Sequence, residues 1–201
     1  HNSITYIDTH SGSGVYNLNS EYMIKNKEYE NGILKLNNCK YESKSIKYYF
    51  KVLRNINNSK NIFFYPGSPL IMSYLTDKMD KLLFYELHNN EFKELRRNLT
   101  KQSNAKIYNK DGFEFINDKF NQKDKYLLLI DPSYEIKDDF NKVINCIKIF
   151  EKGFKNVTAI IWYPVFNIES NDLFFEQIRK IGSNCVTRIE LPLKKYDEEI
   201  G

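Results

Sequence analysis

The sequence predicts an α/β fold, a mostly parallel sheet with helices on both faces. Strand-like and helix-like stretches alternate from one end of the 201 residues to the other. The strand-like stretches are continuous apolar runs rather than in-out alternations, as expected of strands buried on both sides. Four of these runs end in or beside an acid: Asp8, Glu86, Asp111 and Asp131. In such sheets ligands gather at the carboxyl ends of the strands. Taken singly, each acid is also a plain loop opener or helix cap.

Each element has its local reason. SITYID (3–8) reads as a strand that runs into a turn at Gly12 and Gly14. YESKSIKYYFKVLRNI (41–56) places Ile46, Tyr49, Phe50 and Leu53 at helical spacing. IFFYPGSPLIMSYL (62–75) starts extended, turns at Pro66-Gly67 and enters a helix, with Ser68 as cap and Pro69 in the first turn. KLLFYE (81–86) is a strand and NEFKELRRNLTKQ (90–102) a helix. AKIYNKDG (105–112) is a short strand and FEFINDKF (113–120) a helix. KYLLLID (125–131) is a buried strand. DDFNKVINCIKIFEKG (138–153) is a helix closed by Gly153. VTAIIWYP (157–164) is a strand, SNDLFFEQIRKIG (170–182) a helix closed by Gly182, and CVTRIELPL (185–193) a last strand.

The length fits one domain, 1–201, with enough apolar residues for a sizeable core. Residues 19–61 separate the glycine turn from the next strand-like run and read as a largely helical insertion. Residues 25–60 hold nine Lys or Arg against three Glu, a balance of +6, so the rest sums to −2 in a chain of net charge +4. A basic segment of this kind is either a phosphate-binding surface or a solvated helix face. No apolar run approaches the ~20 residues that cross a bilayer, and no signal peptide is visible. Cys39, Cys146 and Cys185 are odd in number and widely spaced. They read as buried or half-buried thiols in a reducing, cytoplasmic compartment.

The glycine turn narrows the chemistry. Gly12 and Gly14 permit close approach of a ligand to backbone amides. A dinucleotide fingerprint needs a third glycine where this chain has Asn17, and the Lys-Ser/Thr pair of a nucleotide phosphate loop is absent. The pattern D-x-x-x-G-x-G suits a cofactor without phosphate, such as S-adenosylmethionine, or else a plain structural turn. Glu86, at the end of KLLFYE, has the place of an acid that accepts from ribose hydroxyls, or is an ordinary loop carboxylate. Asp111 and Gly112 are placed to meet an adenine ring, or are a helix cap and a turn glycine.

LLLIDPSYE (127–135) resembles the D-P-P-Y signature of amino-group methyltransferases. An exocyclic amine on a base is a poor nucleophile because its lone pair is delocalised. The Asp131 carboxylate and the Pro132 carbonyl can each accept one of its N–H bonds and so favour a pyramidal nitrogen. Tyr134 is expected to stack on the base, which must leave its own stack to arrive. The structural alternative is a strand that ends in a proline turn.

YIDTHSGSGVY, YPGSPLI, YELH, DGF, LLLIDPSYEIK and WYPV occur in this order, and the set resembles the RlmJ family, bacterial adenine-N6 methyltransferases of 23S ribosomal RNA. The resemblance runs from about residue 5 to the end. It implies a class I (Rossmann-like) methyltransferase fold, S-adenosylmethionine as cofactor, N6-methyladenine in rRNA as product and an RNA-contacting role for the insertion. It places His10 and Ser68 in the cofactor pocket. It assigns Glu86 to the ribose, Asp111 and Gly112 to the cofactor adenine, and Asp131 to catalysis. Without it His10 reads as a loop or core histidine, and His1 and His88 show no metal-ligand spacing with it. The family's usual second proline is Ser133 here, and its amino-terminal segment and closing strand have no counterpart in these residues. The expectation is therefore a monomeric, metal-free rRNA (adenine-N6)-methyltransferase that is not membrane-bound. The alternatives are a methyltransferase acting on protein glutamine or DNA adenine, a non-catalytic RNA-binding protein of the same fold, and a nicotinamide-dependent oxidoreductase, which Asn17 argues against.

Overall fold

A computed structural model describes residues 3–37, 39–40, 42–59, 61–118, 120–121, 124–136, 138–154, 156–165, 168–181 and 186–190. Five strands form one parallel sheet: β1 (Ile4–Asp8), β4 (Lys81–Tyr85), β5 (Ala105–Tyr108), β6 (Lys125–Ile130) and β7 (Val157–Ile161). Their order across the sheet is β5-β4-β1-β6-β7. The chain builds outward from β1 on one side, then crosses back to build β6 and β7 on the other. The reversal lies between β1 and β6, the position where open α/β sheets hold ligands.

The apolar runs of β1, β4 and β6 are continuous because both faces of the sheet's centre are covered. Tyr6, Leu82 and Phe84 pack on one face with Leu70, Leu95 and Leu99. Those partners come from α5 (Ser68–Leu75) and from α6 (Asn89–Asn98) and the residue that ends it. Ile7, Tyr85, Leu128 and Ile130 point to the other face, against Val143, Ile147, Phe150, Phe174 and Ile178. Those lie on α7 (Asp139–Gly153) and α8 (Ile168–Ile181). Each such fully buried side chain contributes about 1.5–3 kcal/mol through its removal from water.

Two short strands belong to a separate ribbon. β2 (Val15–Asn17) pairs antiparallel with β3 (Phe64–Pro66), and the Gly67 amide donates to the Gly14 carbonyl. The extended start of the 62–75 stretch therefore joins this ribbon and not the main sheet. Between β2 and β3 lie α1 (Glu21–Asn26), α2 (Glu28–Asn31), α3 (Ile33–Asn37) and α4 (Lys44–Asn57). Ile33, Phe50 and Leu53 form a small core of their own there.

Four local expectations are corrected. The 113–120 stretch is a 3-10 helix, Gly112–Asn117, because the chain turns too tightly around Gly112 for a full α-helix. Gly67, not Ser68, is the N-cap of α5. The Ser68 hydroxyl is drawn instead to the buried carboxylate of Asp8. Residues 186–190 form no strand, and the rest of the 185–193 stretch, with Cys185 and Gly182, lies outside the described residues, as does His1. Cys39 is exposed, whereas Cys146 is buried and its thiol is pushed up to about 12 by burial.

Candidate active site

The glycine turn at the end of β1 is pinned on every side. Gly12 (φ 59°) and Gly14 (φ 76°) both occupy the left-handed region that favours glycine. Before the turn, the Thr9 amide donates to the Leu129 carbonyl and the Ser11 amide to Tyr85. Within it, the Gly12 amide donates to Oε2 of Glu86 at 2.8 Å, and Asn98 caps the Ser13 carbonyl at 2.8 Å.

Beneath the turn sits Asp8, 0% exposed. Its Oδ2 accepts from the hydroxyls of Ser68 at 2.7 Å and Tyr6 at 3.0 Å. Its Oδ1 is the one buried side-chain polar atom without a hydrogen-bond partner among the described residues. The backbone N–H of His10 favours the charged form. Burial nevertheless dominates and lifts the carboxyl to about 6, with the Asp131 charge adding to the rise. Sequence reasoning noted this acid as a strand end but gave it no role. The missed signal is its company: Tyr6 and Ser68, two donors, spend themselves on one oxygen and leave the other open.

Glu86, just past β4, is 6% exposed. Its Oε1 takes the His88 amide at 2.7 Å, while Oε2 holds Gly12. A carboxylate has about four lone-pair sites, so acceptor capacity remains for hydroxyl groups. Asp111 caps the 3-10 helix, its Oδ1 accepting from the Phe113 amide at 2.9 Å, and Lys142 stands 4.0 Å from Oδ2. Gly112 is buried against the chain after β1: a Cβ there would lie 1.7 Å from the Thr9 carbonyl oxygen. Asp111 is thus a cap, and Gly112 owes its lack of a side chain to backbone packing.

His10 lies half-buried beside this cap, its ring edge-on to Phe113 at 5.0 Å. Its Nδ1 is 2.7 Å from the Thr9 hydroxyl, which also lies within reach of the Leu129 carbonyl. The single hydroxyl hydrogen can serve either partner, so the ring's tautomer decides which way the Thr9–His10 bond runs. Burial holds the imidazole down at about 4; the Asp111 charge raises it and Lys142 lowers it. The ring is neutral at pH 7.

The LLLIDPSYE turn follows β6, alongside β1. Asp131 is exposed at the carboxyl edge, yet the protein wall around it pushes its carboxyl up to about 6. It is the residue after β6, which pairs with β1 up to Asp8 and Leu129, so it stands beside the start of the glycine turn and outside the packed interior; its charge is felt by Asp8, Tyr6 and Tyr134. Pro132 is buried, and among the described residues no hydrogen bond reaches its carbonyl. Glu86, Asp8 and Asp131 therefore follow three adjacent strands, β4, β1 and β6.

Tyr134 departs from expectation. It is 6% exposed, in a left-handed conformation at φ 55°. Its ring lies against Phe140 at 4.6 Å, and its hydroxyl donates to the Trp162 carbonyl at 2.7 Å. It presents no open face for a base. Its burial and that hydrogen bond fix the turn that carries Asp131.

The outer surface of α4 is basic. Lys44, Lys47, Lys51 and Arg54 recur at helical spacing, all exposed. None pairs with a carboxylate among the described residues. At 1.5 Å per residue the stripe is about 15 Å long. Helix α4 packs on β3, which is tied to the glycine turn through the Gly67–Gly14 hydrogen bond. Among the described residues no group of three or more His, Cys, Asp or Glu gathers to hold a metal ion, and no helix is long and apolar enough to cross a membrane.

Comparison with known proteins adds four findings. The family model described as ribosomal RNA large subunit methyltransferase D, RlmJ, matches residues 1–201. Ribosomal RNA large subunit methyltransferase J of Haemophilus influenzae is 33% identical over 198 residues, 98% of this chain and 70% of that protein. Its Escherichia coli namesake is 33% identical over 187 residues, 92% and 67% of the two chains. A crystal structure of a Legionella pneumophila protein superposes with a TM-score of 0.78 at 28% identity, covering 90% of this chain and 67% of that one.

Proposed function

Since this chain belongs to the RlmJ family of large-subunit rRNA methyltransferases, we propose that it methylates the N6 amine of an adenine in 23S rRNA, with S-adenosylmethionine as donor. The observation that carries the reading is Asp131: an exposed carboxylate at the end of β6, beside the glycine turn and at the reversal of strand order.

The residues present fit the donor. Its methionine end carries an ammonium, and Asp8 has a buried oxygen with no partner at the base of the turn. Its ribose carries hydroxyls, and Glu86 retains acceptor capacity where β4 ends. Ser68 acts on this pocket through Asp8. His10, Asp111 and Gly112 form its far wall, with the neutral imidazole matched to an uncharged purine. When bound, S-adenosylmethionine supplies an electrophilic methyl on a sulfonium.

The chain's own part is to position the acceptor. The Asp131 carboxylate and the Pro132 carbonyl accept the two amine hydrogens of a base that has left its stack. Holding both reactants in place removes much of the entropic barrier, and Asp131 is the nearest exposed carboxylate to receive the released proton. The basic stripe of α4 supports an RNA partner, since phosphate contacts supply most of the affinity in such complexes. An rRNA substrate in turn supports action in the cytoplasm. Residues 19–61 are read as a helical insertion within a single domain that works as a monomer.

The test uses labelled S-adenosylmethionine with unmodified rRNA, DNA and protein fractions. Label is expected in large-subunit rRNA as N6-methyladenine, and is expected to vanish with Asp131→Ala. Label in protein alone, or undiminished rRNA methylation by that variant, overturns the reading.

A further inference from the structure

Tyr134 is spent on holding its own turn, and the site then lacks the aromatic surface a flipped base needs. We propose that Trp162 is that surface, a positioning residue on which the acceptor adenine rests while Asp131 and Pro132 hold its amine. This rests on the adenine reading above.

Placement comes first. Ile130 of β6 and Ile161 of β7 are paired in register. The next residues along the two strands are Asp131 and Trp162, and the Trp162 amide donates to the Ile130 carbonyl at 3.0 Å. The indole residue thus leaves the carboxyl edge of the sheet directly beside the carboxylate.

Exposure comes second. Trp162 is 52% exposed, although both its backbone polar groups are fixed: the amide by Ile130 and the carbonyl by the Tyr134 hydroxyl. The Tyr134 ring supports it from below, centroids 6.2 Å apart and tilted by 50°, with Phe140 behind Tyr134. A large aromatic group is therefore held in place on a rigid mount with its own surface open to water. Every base has a π-face, and stacking on an indole is worth about five- to 150-fold in binding.

Trp162 is the only tryptophan in the chain, so its fluorescence reports on this position alone. Unmodified large-subunit rRNA transcript, titrated into the chain with S-adenosylhomocysteine, is expected to quench the emission to a plateau. Trp162→Leu should lower kcat/KM for the transcript about ten- to 100-fold, while Trp162→Phe restores most of it. Affinity for S-adenosylhomocysteine and the midpoint of thermal unfolding should stay with the parent. Emission unquenched at saturating transcript while methylation proceeds overturns the proposal. So does a Leu variant as active as the Phe variant. If Leu impairs folding, the quench in the parent chain decides alone. A parent that methylates no rRNA overturns the adenine reading as well; a failed quench or an active Leu variant strikes only at Trp162.

Discussion

The carboxyl of Asp131 is pushed up to about 6 by the protein around it, and this gives methylation a pH dependence that can be worked through. Only the carboxylate accepts an amine hydrogen on either oxygen. With a midpoint near 6, about nine-tenths of the molecules are competent at pH 7 and about one-tenth at pH 5. Single-turnover methylation of rRNA transcript should thus fall about tenfold between those values, approach unit slope on a logarithmic plot only below pH 5, and level off above pH 7. Asp131→Asn keeps an acceptor oxygen and removes the titration. Its rate is expected to be lower but flat from pH 5 to 8. Asp131→Ala keeps neither and should lose about a hundred-fold or more at every pH. The assay is incorporation of labelled methyl under saturating donor, with binding of transcript checked separately. A break near pH 6 that survives in Asp131→Asn would refute the argument and move the titration to Asp8, whose carboxyl also lies at about 6.

Asp8 and His10 should pull stability in opposite directions. A carboxyl raised from 3.8 to about 6 stabilises fully below pH 4 and loses that contribution as pH rises through 6. An imidazole lowered from 6.5 to about 4 contributes stability that is gained over the same span. Each amounts to on the order of 3 kcal/mol. Asp8→Asn, followed by urea unfolding from pH 4 to 7, should therefore climb in stability with pH relative to the parent; parallel curves would refute the burial argument. Gly112→Ala drives a Cβ into the Thr9 carbonyl, where only backbone can give way. It is expected to cost about 1–3 kcal/mol, some 3–10 °C in thermal midpoint, and to weaken S-adenosylhomocysteine binding in calorimetry. Replacing Lys47 and Lys51 together by Ala should reduce the slope of log affinity against log salt for rRNA by about 1.5, with donor affinity unchanged; an unchanged slope removes α4 from the interface.

The sheet was legible because its strands are buried on both faces. Tyr6 and Ile7, or Leu127 and Leu128, enter opposite layers, and only apolar residues suit both. Strand-end acids were legible for a related reason: a carboxylate cannot continue such a run. Less visible was what required three-dimensional company. Asp8 as an unsatisfied acceptor depends on Tyr6 and Ser68 arriving from two elements. That Gly112 has no room for a side chain was also hidden, because its close neighbour Thr9 lies more than a hundred positions away in the chain. Tyr134 looked like a platform because its motif names an aromatic residue and says nothing of its burial. Trp162 carries no sequence signal beyond its place at the end of VTAIIWYP, since exposure at a strand end leaves no periodic trace.

The β2–β3 ribbon has a broader consequence. Its three paired positions, with the Gly67-to-Gly14 hydrogen bond, bring the outgoing and returning chain to one point. The segment between leaves and returns at that stalk and leans on the body of the fold through α4, whose Tyr48 hydroxyl donates to the Tyr74 carbonyl of α5; the register of the five parallel strands takes no part in it. A change of length within this appendage is expected to leave the parallel sheet and its strand-end acids in place. On the RNA-binding role proposed for α4, descendants of one catalytic core could in this way change which folded RNA they seize without relearning the chemistry.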